Sequence, residues 1–241
     1  MGTVWQARLQ ALPFAMKEGW RLLRASLLRE PDRREAALQF ARRTARAGDP
    51  DSVLAALDRF AREDRFLMNV GPEKGLLLVE ELAKLGPEAR VLELGSFVGY
   101  SAILMARQLS DAGRVVSIDV SPEASAVARA MAELAGVAHR VEFLTGSASD
   151  RLESLEGPFD LVFLDHWKDL YRPDTEKILA RGLLAENGVI IADNLGPMFG
   201  ENPYLGWMQG RSDFESRYVE GHVEYQSIED GALVSRRRSR S

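Results

Sequence analysis

Residues 90–101 read RVLELGSFVGYS, an apolar segment that runs into two glycines. The first half predicts a buried strand, because strands covered on both faces are almost continuously apolar. Gly95 and Gly99 predict a turn whose backbone can approach a ligand, followed by a helix that offers free N–H groups to an anion. The spacing departs from G-x-G-x-x-G, and bulky residues between the glycines leave little room for a pyrophosphate. A methionine carboxylate fits better, and a purely structural turn is the alternative.

The segments around this turn alternate between apolar strands and amphipathic helices. Strands are predicted at Arg90–Leu94, Arg114–Val120, Arg140–Leu144, Phe159–Asp165 and Gly188–Ala192, and helices at Tyr100–Leu109, Pro122–Gly136 and Pro173–Leu184. Buried strands separated by helices predict an α/β protein with a doubly wound, mostly parallel sheet. Near the end, His222–Ile228 and Ala232–Ser235 flank Asp230-Gly231, which predicts a β-hairpin and antiparallel pairing at one edge.

Helical patterns without strands precede the alternating region. Residues 1–31 carry apolar side chains at three- and four-residue steps, which predicts an amphipathic helix bent at Pro13. This helix either packs on the main domain or binds a membrane surface or a partner. Further helices are predicted at residues 33–47, at 53–62 behind a cap at Asp51 or Ser52, and from 71 to 85. The chain thus divides into an extension (1–31), a main domain (32–235) and a basic, frayed tail (236–241).

Composition and charge exclude several classes of function. The 241 residues are 46% hydrophobic and 28% charged, which suits one ordinary globular domain. With no cysteine, the chain has no thiol chemistry and no zinc-thiolate or iron–sulfur site. The net charge of −5 combines a basic N-terminal region with an acidic middle, which disfavours nucleic acid and tolerates a bound cation. No segment is apolar over the roughly 20 residues that a membrane span requires.

An acidic residue ends the second predicted strand. Asp119 stands where a carboxylate can accept hydrogen bonds from both hydroxyls of a ribose. Its alternative role is to cap the helix that begins after Ser121. A glycine turn followed by such an acid suits two nucleoside cofactors, a nicotinamide dinucleotide or S-adenosylmethionine. A dehydrogenase would need a proton relay such as Y-x-x-x-K, and the sequence has none.

The fourth and fifth predicted strands also end in acidic residues. Asp165 ends one, and Asp193 and Asn194 end the next. Because the ends of parallel strands meet at one edge of a sheet, these side chains should bring together three oxygen ligands, a set that suits Mg²⁺. For each acid taken singly, helix capping or a surface loop is the alternative. Lys168 follows Asp165 closely, so a cation there should lower its pKa and let the neutral amine accept a proton.

Four motifs resemble those of the catechol O-methyltransferases, a class I family that uses S-adenosylmethionine. They are MNVG from Met68, ELGSFVGYS from Glu93, VFLDHWKD from Val162 and ADN from Ala192. The resemblance covers about residues 33–235; the last two motifs are specific, whereas the glycine turn is common to many methyltransferases. It implies a Rossmann-like, seven-stranded, mostly parallel sheet with an antiparallel C-terminal hairpin and extra N-terminal helices.

The resemblance also implies roles for particular residues. Mg²⁺ would be bound by Asp165, Asp193 and Asn194, and Lys168 would be the base that takes the proton of the substrate hydroxyl. S-adenosylmethionine would contact Met68, Val70, Glu93, Gly95, Ser101, Asp119, Ala148, Asp165, His166 and Trp167. The substrate would lie against Phe66, Lys168, Asn194, Pro197 and Glu224, with Glu224 hydrogen-bonded to the second catechol hydroxyl.

This chain departs from the family pattern at several positions. Phe66 replaces a tryptophan that the family has in the substrate cleft. Asp119 replaces a longer glutamate at the ribose, and Ala148 replaces a serine of the adenine loop. Pro197 stands one residue nearer to the A-D-N motif, and residues 1–31 are additional. These differences predict a shifted substrate preference and altered contacts with adenine.

The sequence therefore predicts a Mg²⁺-dependent O-methyltransferase that moves a methyl group from S-adenosylmethionine to one hydroxyl of a catechol. Two alternatives stay open: the same chemistry on another vicinal-diol phenol of the flavonoid or caffeoyl type, and a non-catalytic protein that binds a partner through residues 1–31. A nicotinamide dehydrogenase is a more distant alternative. We expect a cytoplasmic monomer with no nucleic-acid partner and no transmembrane segment.

Overall fold

A computed structural model describes residues 12–21, 30–200 and 202–239 of the chain. These residues form one sheet whose seven strands are β1 (Arg90–Leu94), β2 (Arg114–Asp119), β3 (Val141–Thr145), β4 (Phe159–Leu164), β5 (Leu184–Ala192), β6 (Phe214–His222) and β7 (Glu229–Arg237). The helices of the described ranges are α1 (12–21), α2 (Arg33–Thr44), α3 (Pro50–Glu63), α4 (Gly71–Leu85), α5 (Tyr100–Ala106), α6 (Pro122–Leu134), α7 (Ala148–Leu152), α8 (Tyr171–Ala180) and α9 (Pro203–Gln209).

The strand order is β3-β2-β1-β4-β5-β7-β6. The neighbouring pairs from β3 to β5 are parallel, whereas β7 runs antiparallel to both β5 and β6. This arrangement confirms the predicted α/β, doubly wound and mostly parallel sheet with antiparallel C-terminal strands. The order reverses between β1 and β4, which is where open sheets of this kind leave a crevice for ligands at the carboxyl ends of the strands.

Both faces of the sheet are covered by helices, which explains the continuous apolar strands. In β4, Leu161 and Phe163 point into a core shared with α2 to α6, and Val162 and Leu164 point into a second core shared with α7, α8 and α9. This alternation follows from the two-residue period of a strand. Since apolar side chains fill the two faces, polar side chains concentrate at the ends of the strands.

Helix starts follow the capping residues. Ser121 caps α6 as predicted, with its hydroxyl accepting a hydrogen bond from the Ala124 N–H at 3.1 Å. α3 begins earlier than predicted, because Asp49 caps it by accepting from the Ser52 N–H at 3.0 Å. The predicted cap at Asp51 or Ser52 is therefore wrong. A carboxylate three residues before a free N–H reaches it without strain, and a proline at the first helical position reinforces the start.

The C-terminal hairpin has a different first strand from the predicted one, because Phe214–His222 form β6 and the predicted strand His222–Ile228 is wrong. Asp230 and Gly231 do not form its turn: they lie inside β7, paired with Gly221 and Glu220 of β6. Residues 223–228 make the connection instead. The D-G pair has a packing reason here, because a Cβ at position 231 would overlap the hydroxyl of Tyr218, and the Asp230 carboxylate is buried in an ion pair. The hairpin itself, and the antiparallel edge, are as predicted.

Two terminal features bear on the predicted domain limits. β7 continues to Arg237, and the Arg236 guanidinium donates to Glu81 of α4 at 2.6 Å. The first residues of the predicted frayed tail, 236 and 237, are therefore part of the sheet. Residues 12–21 are helical as predicted, whereas residues 1–11 and 22–29 of the predicted N-terminal helix lie outside the described ranges. Within those ranges, none of the helices has the length and apolar character that crossing a membrane demands.

Candidate active site

The glycine turn after β1 lies directly against the end of β4. Gly95 has φ 106°, and a Cβ at this position would overlap the carbonyl oxygen of Asp165. Only glycine tolerates both the positive φ and the close approach. The Gly95 N–H donates to the carbonyl of Ile118 at 2.8 Å, which ties the turn to β2 as well. The turn therefore sits at the reversal point between β1 and β4.

Asp119, the acid predicted to contact a ribose, holds the glycine turn in place. Its Oδ2 accepts hydrogen bonds from the N–H groups of Ser96 at 3.0 Å and Phe97 at 2.9 Å. Its Oδ1 accepts from the Ser121 N–H at 2.8 Å, but the residue that caps α6 is Ser121, so the alternative capping role considered for Asp119 is wrong. The side chain is half-buried, and three N–H groups already occupy most of its acceptor capacity. Ribose contact by Asp119 stays a prediction.

Glu93 places a buried carboxylate beneath the glycine turn. Its Oε2 accepts a hydrogen bond from the Ser117 hydroxyl, which also lies 2.6 Å from the Ser96 hydroxyl. The other oxygen, Oε1, is buried and has no hydrogen-bond partner among the described residues. Burial raises the pKa of Glu93 to about 7, although the neighbouring Ser101 and Ser117 hydroxyls act in the opposite sense. An unpaired buried carboxylate suits a cationic ligand group such as an ammonium.

Asp165 and Asp193 occupy equivalent places at the ends of β4 and β5. Leu164 pairs with Ala192 across the parallel ladder, and the next residue on each strand is an aspartate. The Asp193 N–H donates to the Leu164 carbonyl at 3.0 Å, so the two acids share one rim of the sheet, as the sequence predicts. Burial raises the pKa of Asp165 well above its usual range, and the negative charge of Asp193 raises it further.

A divalent cation fits the donor set at this rim. The Asp193 Oδ2 atom is buried and accepts no hydrogen bond from any residue in the described part of the chain. The buried carboxylate of Asp193, the half-buried carboxylate of Asp165 and the amide of Asn194 are the hard oxygen donors that Mg²⁺ prefers. Within the described ranges, no cluster of three or more His, Asp or Glu side chains is arranged to hold a metal. The predicted set, with two acids and one amide, does not need such a cluster.

Lys74 is the functional candidate that the sequence did not reveal. It projects from α4 into the acidic rim, where its Nζ lies 2.7 Å from Asp193, 2.8 Å from Glu224 and 2.5 Å from Asp230. Burial opposes its charge, but the three carboxylates together raise the pKa of Lys74 far above its usual value. The sequence held one signal for this role: Lys74 shares a helix face with Leu77 and other buried residues of α4, and a lysine at a buried helical position needs a partner.

Lys168, the predicted base, begins a short 3₁₀ turn just beyond β4. Its Nζ lies 4.0 Å from the centroid of the Phe199 ring, and the residue is half-buried. Burial lowers the pKa of Lys168, although Asp165, Asp230 and Asp193 act in the opposite sense. The direction agrees with the prediction, but its cause in this structure is desolvation. A lysine with a lowered pKa beside a ligand crevice is a reasonable general base.

Two aromatic residues follow Asp165 and differ in burial. His166 is held by Asp174, with 2.9 Å between His166 Nε2 and a carboxylate oxygen, and its ring lies 5.2 Å from that of Tyr171. The Tyr171 hydroxyl in turn donates to the carbonyl of Asp193 at 3.2 Å. Trp167 is 76% exposed, so its indole face is available to a ligand. Both residues follow directly after the acidic end of β4, and their contact with a cofactor stays a prediction.

Phe66, the predicted substrate contact, belongs to an apolar cluster that forms a wall beside the rim. Phe66 is buried with Val223 and Ile228, and Met198, Phe199 and Phe14 pack against this group. The Phe14 ring of α1 meets the Phe66 ring edge-on, with centroids 4.9 Å apart and planes at 81°. The predicted N-terminal helix therefore packs on the main domain at this wall. Its Leu12, Met16 and Trp20 side chains stay exposed.

The other predicted contact residues occupy the rim around these groups. Val70 is buried at the start of α4, whereas Met68 is 47% exposed. Glu224 is buried against Gly71, whose missing Cβ leaves room for it. Pro197 begins a 3₁₀ turn beyond Asn194. Ser101 is buried in α5, and Ala148 begins α7, which Ser147 caps by accepting from the Asp150 N–H at 3.1 Å. Ala148 and Asp119 thus belong to the β2–β3 side of the crevice, and Phe66 and Glu224 to the β5–β7 side.

Comparison with known proteins identifies the family. Residues 45–197 match the O-methyltransferase family. Catechol O-methyltransferase B of Danio rerio is 38% identical over 205 residues, which span 83% of this chain and 76% of that protein. Catechol O-methyltransferase of Mus musculus is 35% identical over 211 residues, spanning 86% and 79%.

Solved structures agree with this assignment. The O-methyltransferase TomG of Streptomyces achromogenes, in complex with SAM, superposes with a TM-score of 0.65 at 29% identity, covering 77% of this chain and 89% of that one. The O-methyltransferase of Bacillus cereus in complex with SAH gives 0.63 at 26% identity, covering 90% and 96%. With a family match over more than half of its length and relatives above 30% identity, this chain belongs to the O-methyltransferase family and is an enzyme of that class.

Proposed function

We propose that this enzyme transfers a methyl group from S-adenosylmethionine to one hydroxyl of a catechol, with Mg²⁺ at the acidic ends of β4 and β5. The observation that carries the proposal is the rim itself. Asp165, Asp193 and Asn194 lie at adjacent strand ends, one buried carboxylate oxygen is unsatisfied by the described residues, and Lys168 with a lowered pKa stands beside them. The named relatives, catechol O-methyltransferases, support the choice of substrate.

The cofactor would lie along the carboxyl ends of β1 and β2. When bound, S-adenosylmethionine supplies a methyl group activated by its sulfonium. Glu93 Oε1 would accept a hydrogen bond from the amino group of the methionine part, which gives this buried carboxylate the partner that the described residues do not provide. Asp119 would accept from the ribose, and His166 and Trp167 would border the adenine and the substrate cleft. Met68, Val70, Gly95, Ser101 and Ala148 would complete the contacts.

The acidic residues at the ends of β4 and β5 would hold the cation that orients the substrate diol and favours its phenolate form. When bound to Asp165, Asp193 and Asn194, Mg²⁺ would lower the pKa of the substrate hydroxyls. Lys168 would take the proton from the hydroxyl that is methylated. Its partly buried position helps, because burial lowers the pKa of Lys168 and so favours the neutral amine that can accept a proton. Holding the oxygen in line with the methyl carbon can supply roughly 7–11 kcal/mol of the barrier.

The substrate ring would lie on the apolar wall around Phe66, with Pro197 on the facing loop. Glu224 would accept a hydrogen bond from the hydroxyl that is not methylated, since the adjacent residue in the chain, Val223, is part of this wall. A lone phenol would lack the second contact and the chelating pair, so we expect it to be a poor substrate. A larger vicinal-diol phenol of the flavonoid or caffeoyl type is the alternative substrate for the same machinery.

A purely binding role is disfavoured by the energetics of the rim. Lys74 supplies one positive charge to three buried carboxylates, those of Asp193, Glu224 and Asp230, and the half-buried Asp165 lies on the same rim. Buried negative charge that is not fully paired costs several kcal/mol per ion. A non-catalytic binding protein gains nothing from this arrangement.

We propose that residues 32–235 form the catalytic domain, that residues 1–31 contribute α1 to the substrate wall, and that the enzyme acts as a cytoplasmic monomer.

The test is methyl transfer from S-adenosylmethionine to catechol and to phenol, with Mg²⁺ or with EDTA. We expect methylation of catechol that requires Mg²⁺, and little methylation of phenol. Metal-independent turnover would overturn the metal assignment. Cofactor binding without turnover on catechol would move the search to larger vicinal diols, and absence of turnover on those too would favour the binding role.

A further inference from the structure

The two oxygens of the Asp193 carboxylate have different surroundings. Oδ1 lies 2.7 Å from Lys74 Nζ and accepts a hydrogen bond from the Asn194 N–H, also at 2.7 Å. Oδ2 is equally buried, yet nothing in the described ranges donates to it. The carboxylate is thus fixed through one oxygen, and the other is turned away from its protein partners. This is the orientation that a metal ligand needs before the metal arrives.

Asp230 fixes the neighbouring ligand in the same manner. Its Oδ2 accepts from Asn194 Nδ2 at 3.0 Å and from Lys74 Nζ at 2.5 Å, and its Oδ1 accepts from the Gly196 N–H at 2.9 Å. An ionised carboxylate only accepts hydrogen bonds, so the amide nitrogen of Asn194 must face it. The amide oxygen of Asn194 is then the atom left for a cation. Asn194 also has φ 55°, a backbone conformation that needs such support.

Lys74 connects both ligands to the substrate side. Its ammonium has three N–H donors, and three carboxylates, those of Asp193, Glu224 and Asp230, lie at ion-pair distance from it. These carboxylates come from the end of β5, the β6–β7 connection and the start of β7, whereas the lysine comes from α4. One buried cation therefore joins elements that are up to 156 positions apart in the sequence.

We propose that Lys74 and Asp230 are positioning residues that turn Asp193 Oδ2 and the Asn194 amide oxygen toward the catalytic cation. The inference rests on the proposed Mg²⁺ site and adds to it the two residues that shape it. Outer partners of metal ligands typically contribute about 10- to 100-fold in metal affinity. Neither residue touches the reacting atoms, so their removal should act on the metal and leave the cofactor crevice at β1 and β2 as it is.

The main test is Asp230→Asn, which keeps the shape of the side chain and removes its charge. The amide at 230 could donate to Asn194, so the Asn194 side chain could flip and present its nitrogen to the cation. Affinity for Mn²⁺ alone, measured by electron paramagnetic resonance on the cofactor-free protein, should fall about 10- to 100-fold. Affinity for S-adenosylmethionine, measured by calorimetry without metal, should stay within about twofold of the parent value.

A matched control comes from another buried ion network on the same helix. Glu81 of α4 is buried and accepts hydrogen bonds from Lys84 at 2.7 Å, Arg217 at 2.9 Å and Arg236 at 2.6 Å. Glu81→Gln should lower the unfolding temperature and leave Mn²⁺ affinity unchanged. Lys74→Met provides a second, harsher variant, and Asp230→Asn keeps the test decisive if Lys74→Met fails to fold.

The outcomes distinguish a failure of the positioning role from a failure of the metal site itself. If the parent enzyme binds Mn²⁺ and Asp230→Asn binds it no more weakly than Glu81→Gln does, the positioning role is wrong and the metal site stands. If the parent enzyme and Asp193→Ala bind Mn²⁺ equally poorly, the metal site itself is wrong and the positioning role falls with it. Equal losses of Mn²⁺ and cofactor affinity in Asp230→Asn would show a general structural role and would also overturn the proposal.

Discussion

Phe14 of α1 packs edge-on against Phe66, with ring centroids 4.9 Å apart. This contact joins the N-terminal extension to the apolar wall that we assign to the substrate. Phe66 occupies the position where the resemblance implies a tryptophan, and Phe14 packs against this smaller ring. An aromatic pair of this geometry contributes about 0.5–1.5 kcal/mol beyond the burial of its area. The extension is therefore part of the wall, and its removal should change how the substrate binds.

Phe14→Ala should change substrate preference more than it changes the chemical step. Opening the wall removes an apolar contact, so we expect KM for catechol to rise severalfold while kcat stays within about twofold. The ratio of kcat/KM for a bulky vicinal diol over catechol should increase, since the cleft is wider. Steady-state kinetics with both substrates give the answer. Phe40→Ala, which breaks the Phe40–Phe60 pair far from the rim, is the control and should leave the ratio unchanged.

Phe66→Trp tests the same wall by enlarging a side chain instead of truncating one. A larger ring fills the space that Phe14 shares with Phe66, so the ratio of kcat/KM should shift toward small catechols. Competition between catechol and a caffeoyl-type diol in one reaction measures the shift directly. An unchanged product ratio would mean that Phe66 does not line the cleft.

Lys168→Met should lower kcat by about 10²–10⁴-fold, the usual contribution of a general base. Cofactor affinity should hardly change, because Lys168 lies on the substrate side of β4. Lys168→Arg should be almost as slow, since a guanidinium keeps its proton at any accessible pH. Single-turnover methylation and calorimetric cofactor binding separate the two effects. Lys84→Met, which removes an exposed lysine paired with Glu81, is the control. Equal losses in kcat and cofactor affinity for Lys168→Met would indicate a structural role instead.

Asp193→Ala should abolish Mg²⁺-dependent turnover while the fold survives. The substitution removes the oxygen that the described residues leave unpartnered and, with it, one of two acidic ligands. Asp165→Ala should have the same effect. Asp160 sits at the opposite end of β4, where it accepts from the Arg90 N–H at 2.8 Å. Asp160→Ala should therefore cost stability and leave the Mg²⁺ dependence intact. Near-parental turnover in Asp193→Ala or Asp165→Ala would refute the metal assignment.

The sequence was informative where local patterns dominate. Continuous apolar strands appear in β1, β4 and β5 because both faces of the sheet are covered, and each strand end carries its polar group to one rim. The hairpin was misplaced because Asp230-Gly231 has the composition of a tight turn. Its actual reasons, a buried ion pair and the Tyr218 hydroxyl above Gly231, are contacts between distant elements that no local pattern encodes.

Lys74 shows the same limit within the site. Its spacing with Leu77 and Leu78 marks it as buried, but spacing does not tell which charges neutralise it. The partners come from three segments near the end of the chain, and only the packing of α4 across β7 brings them together. Motifs that fall in one strand-end loop, such as D-H-W-K-D, could be assigned roles from the sequence. A cluster assembled from four segments could not.

Glu93 gives the enzyme a pH dependence whose sign follows from its burial. Burial raises its pKa from a usual 4.5 to about 7, so the folded protein holds a proton there that the unfolded chain releases. The stabilising contribution of the protonated form is therefore complete below about pH 4.5 and is lost as the pH rises through 7. A cationic cofactor group favours the carboxylate instead. Cofactor binding should then release a proton in this range.

Cofactor affinity should accordingly rise on the order of tenfold from pH 5.5 to pH 7, because the free enzyme must lose the Glu93 proton to pair with the ammonium. Calorimetric titration of the metal-free enzyme with S-adenosylmethionine, in two buffers of different ionisation enthalpy, measures both the affinity and the proton release. Glu93→Gln keeps the shape and a hydrogen-bond acceptor, so it should bind more weakly at pH 7 and lose the slope. A slope that persists in Glu93→Gln would mean that another group titrates, and the Glu93 contact would have to be abandoned.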